Sequence, residues 1–309
     1  MQFFKTPSID FANKRKMAYT ISAALFVLGL VFLALHGGPN LGIDFKGGTE
    51  IVVKFQDKVD ISELRSVLTG ASLGNASVRR FGSSDEYQIY VEQQKEGSAE
   101  EVALQVRGIL DAGLTGKAYD VRQIETVGPK IGEELRSAMV MAILVALLLI
   151  LIYVSVRFEF IFAMGAIAAL FHDVLITFGI FSIVNYEISI KEIAAFLTIV
   201  GYSLNDTIVV YDRIRENLKS MRNETLPVII NMSINQVLSR TVVTSVTTFV
   251  VVLTLFLFGG EVIKGFAFAM LIGVVVGTYS SIFVASSLVL EWQMRHGGKR
   301  SLKMSKKKK

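Results

Sequence analysis

The chain has 309 residues, of which 52% are hydrophobic and 19% charged, with a formal net charge of +5. This composition indicates a polytopic membrane protein rather than a water-soluble domain. Cysteine is absent, which excludes a cysteine nucleophile, thiolate metal ligands and disulfide bonds.

Six apolar segments are long enough to cross about 30 Å of hydrocarbon as helices. They cover residues 17–35, 138–156, 160–184, 190–211, 241–258 and 265–290. Lys14, Arg15 and Lys16 precede the first segment, but no small-residue cleavage site follows its apolar core before His36. We therefore expect an uncleaved membrane anchor here rather than a signal peptide.

The positions of lysine and arginine in the short loops predict the orientation of these spans. Basic residues concentrate in segment 1–16, in a loop at 213–240 and in the tail at 291–309, so both termini are expected in the cytoplasm. Residues 36–137 then lie outside, and residues 138–290 hold the other five spans. The loop is expected to contain an interfacial helix, with Pro227 at its start or at a break. The basic tail is expected to attract anionic lipid, and its charge is no argument for a nucleic-acid partner.

The external segment predicts a small α+β domain between the first two spans. Strands are expected at 49–55, 77–81, 87–92 and 119–127, and helices beginning near Asp60 and Ser98. The resulting order β-α-β-β-α-β is typical of a ferredoxin-like unit whose helices cover one face of the sheet.

Two short segments connect this domain to the membrane. In the first, at 42–48, the glycines predict turn geometry and Asp44 is expected to make local hydrogen bonds. In the second, Pro129 and its flanking glycines are expected to break a helix and let the chain change direction.

Asp206 is a carboxylate inside the apolar fourth span. Placing a charge at bilayer depth costs about 2.5–3.5 kcal/mol on insertion scales, so such a group is usually paired, protonated or exposed to water. Arg240 opens the next, antiparallel span at a similar predicted depth, which makes a facing Asp206–Arg240 pair geometrically reasonable. Two interpretations stay open, namely a proton site and a permanent salt bridge that holds two helices together.

Further polar residues accompany this pair. Tyr202, Ser203 and Asn205 precede the aspartate on the same helix, and Thr244 continues a polar stripe beyond Arg240. In the third span, His172 and Asp173 form either a proton relay or an interhelical hydrogen-bond pair that orients helices.

The sequence does not favour an enzyme. The three histidines, at positions 36, 172 and 296, are too scattered to suggest a metal triad. Asp173 and Asp206 lack the flanking motif of an aspartyl protease. We expect neither a metal nor an organic cofactor, with protons as the coupling ion.

Several motifs together resemble the SecF family, the six-span subunit of the bacterial SecD–SecF complex in the RND superfamily. The matching strings are GIDFKGGT at 42–49, GPKIG at 128–132, FHDV at 171–174, GYSLNDTIVVYDRIRE at 201–216 and NQVLSRT at 235–241. The resemblance covers nearly the whole chain, and the motif around Asp206 is the most specific part of it.

This resemblance implies a location in the bacterial inner membrane and a partnership with SecD and the SecYEG channel. The complex would use the proton motive force to draw a translocating preprotein outward. The residues at Asp206 and Arg240 would belong to the proton route, together with an aspartate supplied by SecD. Two alternatives stay open, namely an RND-type exporter of lipid or small molecules and a membrane scaffold without transport.

Overall fold

The computed structural model describes residues 7–71, 76–92 and 99–296. A long helix comes first, a small domain of helices and strands follows it, and the rest of the described chain is helical. In chain order they are α1 (Phe11–Leu35), α2 (Ile43–Lys46), β1 (Gly48–Phe55), α3 (Ile61–Gly70), β2 (Ser77–Arg80), β3 (Glu86–Val91), α4 (Ala99–Gly113), β4 (Tyr119–Val127), α5 (Pro129–Arg157), α6 (Phe160–Ile183), α7 (Ile190–Ser220), α8 (Leu226–Phe258), α9 (Glu261–Ser280), a π-helical turn (Ser281–Ala285) and α10 (Ser286–His296).

Within the described part of the chain, six helices are long and apolar enough to cross a membrane, as the sequence predicted. They are α1, α5, α6, α7, α8 and the run from α9 through the π-helical turn into α10. About half of the apolar windows of α6, α7 and α9 are buried, so these three helices form the core of the bundle. The apolar faces of α1, α5 and α8 are mostly exposed, as expected of surfaces that meet lipid or another subunit.

The predicted cytoplasmic loop at 213–240, with its separate interfacial helix, is wrong. Helix α7 continues to Ser220 and α8 begins at Leu226, which leaves only a short turn between them. Side chains join the two extensions, since Asn217 Nδ2 donates to Ser233 Oγ and to Gln236 Oε1, both at 2.8 Å. Pro227 lies in the first turn of α8, where its missing N–H interrupts no helical hydrogen bond.

Two other predicted boundaries also move. Helix α1 begins at Phe11 rather than at residue 17, because Asp10 caps it by accepting a bond from the Asn13 N–H at 3.2 Å. Helix α5 begins at Pro129, within the segment assigned to the α+β domain, and Gly128 is its N-cap. The proline therefore starts the span that it was expected to precede.

The α+β domain contains one antiparallel sheet with the strand order β2-β3-β1-β4. Helices α3 and α4 pack on one face, around a core that includes Leu64, Tyr87 and Leu110. The predicted start of α3 near Asp60 is confirmed, since Asp60 caps the helix by accepting a bond from the Ser62 N–H at 3.0 Å. The other sheet face is polar and includes Glu50 on β1 and Gln88 on the neighbouring strand β3.

The segment between α1 and the sheet binds the membrane helices. Asp44 Oδ2 accepts a bond from the Ile190 N–H at 2.9 Å, so the predicted local bonding of Asp44 is wrong. The carboxylate instead contacts the N-terminus of α7, where unpaired N–H groups favour a negative charge. Gly47 and Gly48 have φ values of +72° and +121°, which confirms the predicted turn geometry.

Glycines of the last span allow α9 to approach α7 closely. A Cβ added at Gly277 would lie 3.0 Å from Ser203 Cβ, and one added at Gly273 would collide with Ile199. Small residues let helix backbones approach in membranes, where packing is a main source of helix association. This close approach brings hydroxyl groups of α9 next to the polar residues of α7.

Candidate functional site

Asp206 is buried in α7, with 3% of the residue exposed. Ser245 on α8 donates its hydroxyl to Asp206 Oδ2 at 3.4 Å, and Thr278 on α9 donates to Ser245 Oγ at 2.7 Å. A good hydroxyl–carboxylate bond is about 2.5–2.7 Å long, so the contact to Asp206 is weak. It is the one hydrogen bond recorded for this carboxylate within the described residues, so its bonding capacity is largely unused.

Arg240 does not form the predicted ion pair with Asp206 within the described residues. It lies on the exposed face of α8. Ser245, five positions later, is the residue of α8 that faces Asp206. Five residues of an α-helix correspond to a rotation of about 140°, so Arg240 and Ser245 cannot point the same way.

His172 and Asp173 form a node that joins four helices. Asp173 is fully buried, with His172 Nδ1 at 2.9 Å from its Oδ1. Its Oδ2 accepts hydroxyl bonds from Ser203 on α7 and from Ser280 on α9, the latter at 2.7 Å. His172 Nε2 reaches Ser22 Oγ on α1 at 2.9 Å. The interhelical hydrogen-bond interpretation of this pair therefore has direct geometric support.

The remaining predicted site residues lie in different surroundings. Ser203 belongs to the Asp173 node, whereas Asn205 is exposed on α7. Thr244 is also exposed, and its hydroxyl bonds to the Arg240 carbonyl of its own helix at 3.1 Å. The Tyr202 hydroxyl is buried without a hydrogen-bond partner within the described residues. These groups do not converge on Asp206.

Sequence reasoning missed five hydroxyl residues of the site. They are single serines or threonines in apolar spans, a signal too common to select them without the fold. The residues are Ser22, Ser245, Thr278, Ser280 and Ser281.

A cleft of about 730 Å³ separates the polar face of the sheet from the turn between α6 and α7. Arg79 on β2 bridges it, with Nη1 at 2.5 Å from Glu187 Oε2. Burial raises the pKa of Glu187 above its ordinary value, and the Arg79 guanidinium opposes this shift. Much of the lining is charged or polar, unlike the large apolar pocket expected of a lipid or small-molecule exporter. Within residues 7–71, 76–92 and 99–296 there is no cluster of three or more potential metal ligands.

Family models and relatives match most of the chain. Residues 112–295 match the model described as protein export membrane protein SecD/SecF, C-terminal, and residues 32–59 match the SecD/SecF GG motif. The protein translocase subunit SecF of Calditerrivibrio nitroreducens is 46% identical over 91% of this chain and 93% of its own length. That of Vibrio alginolyticus is 45% identical over 92% of this chain and 90% of its own length.

Solved structures agree with these relatives. A crystal structure of SecDF, a translocon-associated membrane protein from Thermus thermophilus, superposes with a TM-score of 0.84 and 40% identity over 94% of this chain. A SecDF structure in a super-membrane-facing form gives a TM-score of 0.68 with 39% identity over 96% of this chain. This chain spans 39% and 40% of those two solved chains. The chain therefore belongs to the SecD/SecF family of protein export membrane proteins, among the SecF translocase subunits.

Proposed function

We propose that this chain is the proton-motive-force-driven SecF subunit of a bacterial protein translocase, which promotes polypeptide export through the SecYEG channel together with SecD. The observation that carries the proposal is the state of Asp206, a buried carboxylate with one weak hydrogen bond. Such a group gains little from being charged in this site and can bind and release a proton. The role is one of transport rather than catalysis, with no cofactor other than the coupling proton.

Exposed polar groups support the presence of a second subunit in the functional complex. Asn205, Arg240 and Thr244 lie on exposed surface of helices that are long enough to span the membrane. An arginine facing lipid is costly, so we expect a partner's helices to cover this surface. The relatives with solved structures are named SecDF and are more than twice as long as this chain, which fits a SecD partner that is longer than this chain.

The energy available from one proton is sufficient to bias two helix arrangements. One charge that crosses 100 mV gains about 2.3 kcal/mol. Protonation of Asp206 would remove its attraction to Arg240, and an arginine buried by the partner without its counter-charge would favour a different packing. A proton can therefore shift the population of two discrete states, provided that their energies differ by only a few kcal/mol.

The finer assignments of the domain and its surroundings follow the same proposal. The strand order β2-β3-β1-β4, with both helices on one face, supports a ferredoxin-like unit outside the cytoplasm. Both termini are cytoplasmic in this arrangement, the complex associates with the SecYEG channel, and the preprotein meets its external domain. The basic tail from residue 297 lies outside the described residues, and its contact with anionic lipid stays a prediction.

The test is Asp206→Asn in membranes that also contain SecD. We expect proton-dependent export to be lost while the complex still assembles, because the amide cannot exchange a proton and only a weak bond is altered. Asp212→Asn is the matched control, since Asp212 lies on the same helix in an exposed ion pair with Arg157 at 3.0 Å. Export that is normal in Asp206→Asn would refute the proton role.

Arg240→Lys tests the second predicted residue of the proton route. Lysine keeps the charge but lacks the planar guanidinium with its five donors. We expect reduced coupling, because the arginine must reach Asp206 or the partner with a defined geometry. Unchanged proton-driven export in Arg240→Lys would show that a positive charge alone is sufficient.

A further inference from the structure

The turn of α7 that carries Asp206 contacts the π-helical turn after α9 through two of its residues. Ser203 precedes the aspartate by three residues and Thr207 follows it. Ser281 Oγ lies 2.9 Å from Thr207 Oγ1, and its proton is shared between the Ser203 carbonyl at 3.3 Å and the Gly277 carbonyl of its own helix at 2.9 Å. Ser203 and Thr207 are thus held from the same side, and Asp206 lies between them.

The attachment continues to α6 through Asp173. Ser280, the neighbour of Ser281, donates its hydroxyl to Asp173 Oδ2, which also accepts the Ser203 hydroxyl. The four hydroxyl residues and Asp173 are all buried, with at most 1% exposed. These bonds fix the height and the rotation of α6, α7 and α9 relative to one another.

Asp173 itself has hydrogen-bond partners at both carboxylate oxygens. Its two oxygens receive the His172 ring nitrogen and two serine hydroxyls. A carboxylate with three donors is bonded in its ionised form, and a proton added to it would displace one of these bonds. This arrangement suits a fixed anchor better than a group that repeatedly exchanges a proton.

The α9 end of the network lies where the helix changes type. Ser280 is the last residue of α9, and Ser281 is the first residue of the π-helical turn. Single π-helical turns are rare and occur frequently at functional sites, because they shift the direction of side chains. The two serines that bind α7 and α6 therefore stand at the point where α9 departs from regular geometry.

We infer that Asp173, Ser280 and Ser281 form a clamp that positions Asp206, with Asp173 as a positioning residue and not as a proton carrier. This inference rests on the proposed function, because a positioned Asp206 matters only if it exchanges a proton. The helices around Asp206 carry other titratable or charged groups, among them His172 and Asp173 on α6, Tyr202 on α7, Arg240 on α8 and Tyr279 on α9. The clamp fixes Asp206 relative to the groups on α6 and α9.

The test removes single hydroxyl groups of the clamp in membranes containing SecD. Thr207→Val and Ser281→Ala each break an interhelical bond, whereas Thr207→Ser keeps the hydroxyl. Thr198→Val is the matched control, because Thr198 lies on α7, is exposed, and bonds only to its own helix at the Ala194 carbonyl (2.8 Å). The readouts are the amount of assembled complex and the pH profile of proton-driven export.

We expect Thr207→Val and Ser281→Ala to reduce export about threefold and to move its pH midpoint by about half a unit, as expected for one interhelical bond. Assembly, Thr207→Ser and Thr198→Val should match the parent. A purely structural clamp would lower the amount of complex without moving the midpoint, and that result would overturn the inference.

The outcome for Asp206→Asn separates the two levels. If that variant exports normally, the proposed function itself fails. If it is inactive while Thr207→Val and Ser281→Ala both keep the parental pH profile, only the clamp is refuted.

Discussion

Asp173 and Asp206 are both aspartates in neighbouring membrane helices, yet they differ in the number of hydrogen-bond donors around them. Asp173 is fully buried and accepts bonds from three donors on three different residues. Asp206 is almost as buried, but among the residues that the structure describes it accepts one bond, at 3.4 Å. Burial alone therefore does not identify a proton site, and the number of donors separates the two carboxylates.

The difference has a physical meaning. Each donor favours the ionised form and offsets part of the cost of burying it, so a carboxylate with three donors is suited to holding its partners in place. A buried carboxylate with one weak donor has little to offset the cost of its charge, so it takes up a proton more readily. The two carboxylates therefore have different roles. Asp173 holds the helices together, whereas Asp206 can change its charge.

The largest expected effect is on stability at the carboxylate with three donors. Asp173→Ala leaves two buried serine hydroxyls and one imidazole without their acceptor. Removing one partner of a buried charged network costs about 3–5 kcal/mol, whereas Asp206→Ala removes one weak bond and should cost about 1 kcal/mol or less. Denaturant unfolding of the full chain in detergent micelles measures both. Equal destabilisation by the two substitutions would contradict the contrast.

A smaller effect is expected at His172, which completes the node. His172→Phe keeps a ring but loses the contacts to Asp173 and to Ser22 on α1. We expect a loss of about 1–3 kcal/mol, the range for buried groups left without a hydrogen-bond partner. The same unfolding measurement applies, with Ser22→Ala as the control that breaks only the α1 contact and should cost less. A His172→Phe variant as stable as the parent would show that Asp173 needs only its serine donors.

Much of the fold follows from sequence patterns. The strands and the Asp60 cap of the α+β domain are predictable because alternating apolar residues and capping residues act locally. The six spans follow from length and composition alone. The predicted loop at 213–240 fails because Asn217 and its partners on α8 stabilise helices whose sequence is locally polar.

The site is less predictable, because it depends on how each helix is rotated. Helix α8 is apolar on most sides, so its sequence contains no stripe that shows which residue faces α7. Arg240 was therefore expected opposite Asp206, where the structure places Ser245. The partners of Asp173 come from positions 22, 203 and 280 along the chain, and only the packed bundle brings them together.

The smallest expected effect concerns Glu187, which provides an intermediate case outside the membrane spans. It is partly buried, and it has one close partner, Arg79. Burial raises its pKa above the ordinary value of 4.5, and the arginine opposes that shift. The contribution of Glu187 to stability should therefore be largest below about pH 4.5 and should be lost as pH rises through the higher folded-state pKa, because ionisation is then less favourable in the folded protein than in the unfolded one.

Substitutions on the two sides of this pair should change the pH dependence in opposite directions. Glu187→Gln removes the titrating group and should flatten the stability curve above pH 4.5, whereas Arg79→Gln removes the compensating charge and should steepen it. Because the ion pair is partly solvated, we expect each change to stay within about 1 kcal/mol. Thermal unfolding of the α+β domain within the full chain, recorded from pH 4 to pH 8, measures both curves. If the stability of the parent instead rose with pH and Arg79→Gln flattened that rise, the arginine rather than burial would be the main influence on Glu187. The number of partners would then outweigh burial outside the membrane spans as it does at Asp173 within them.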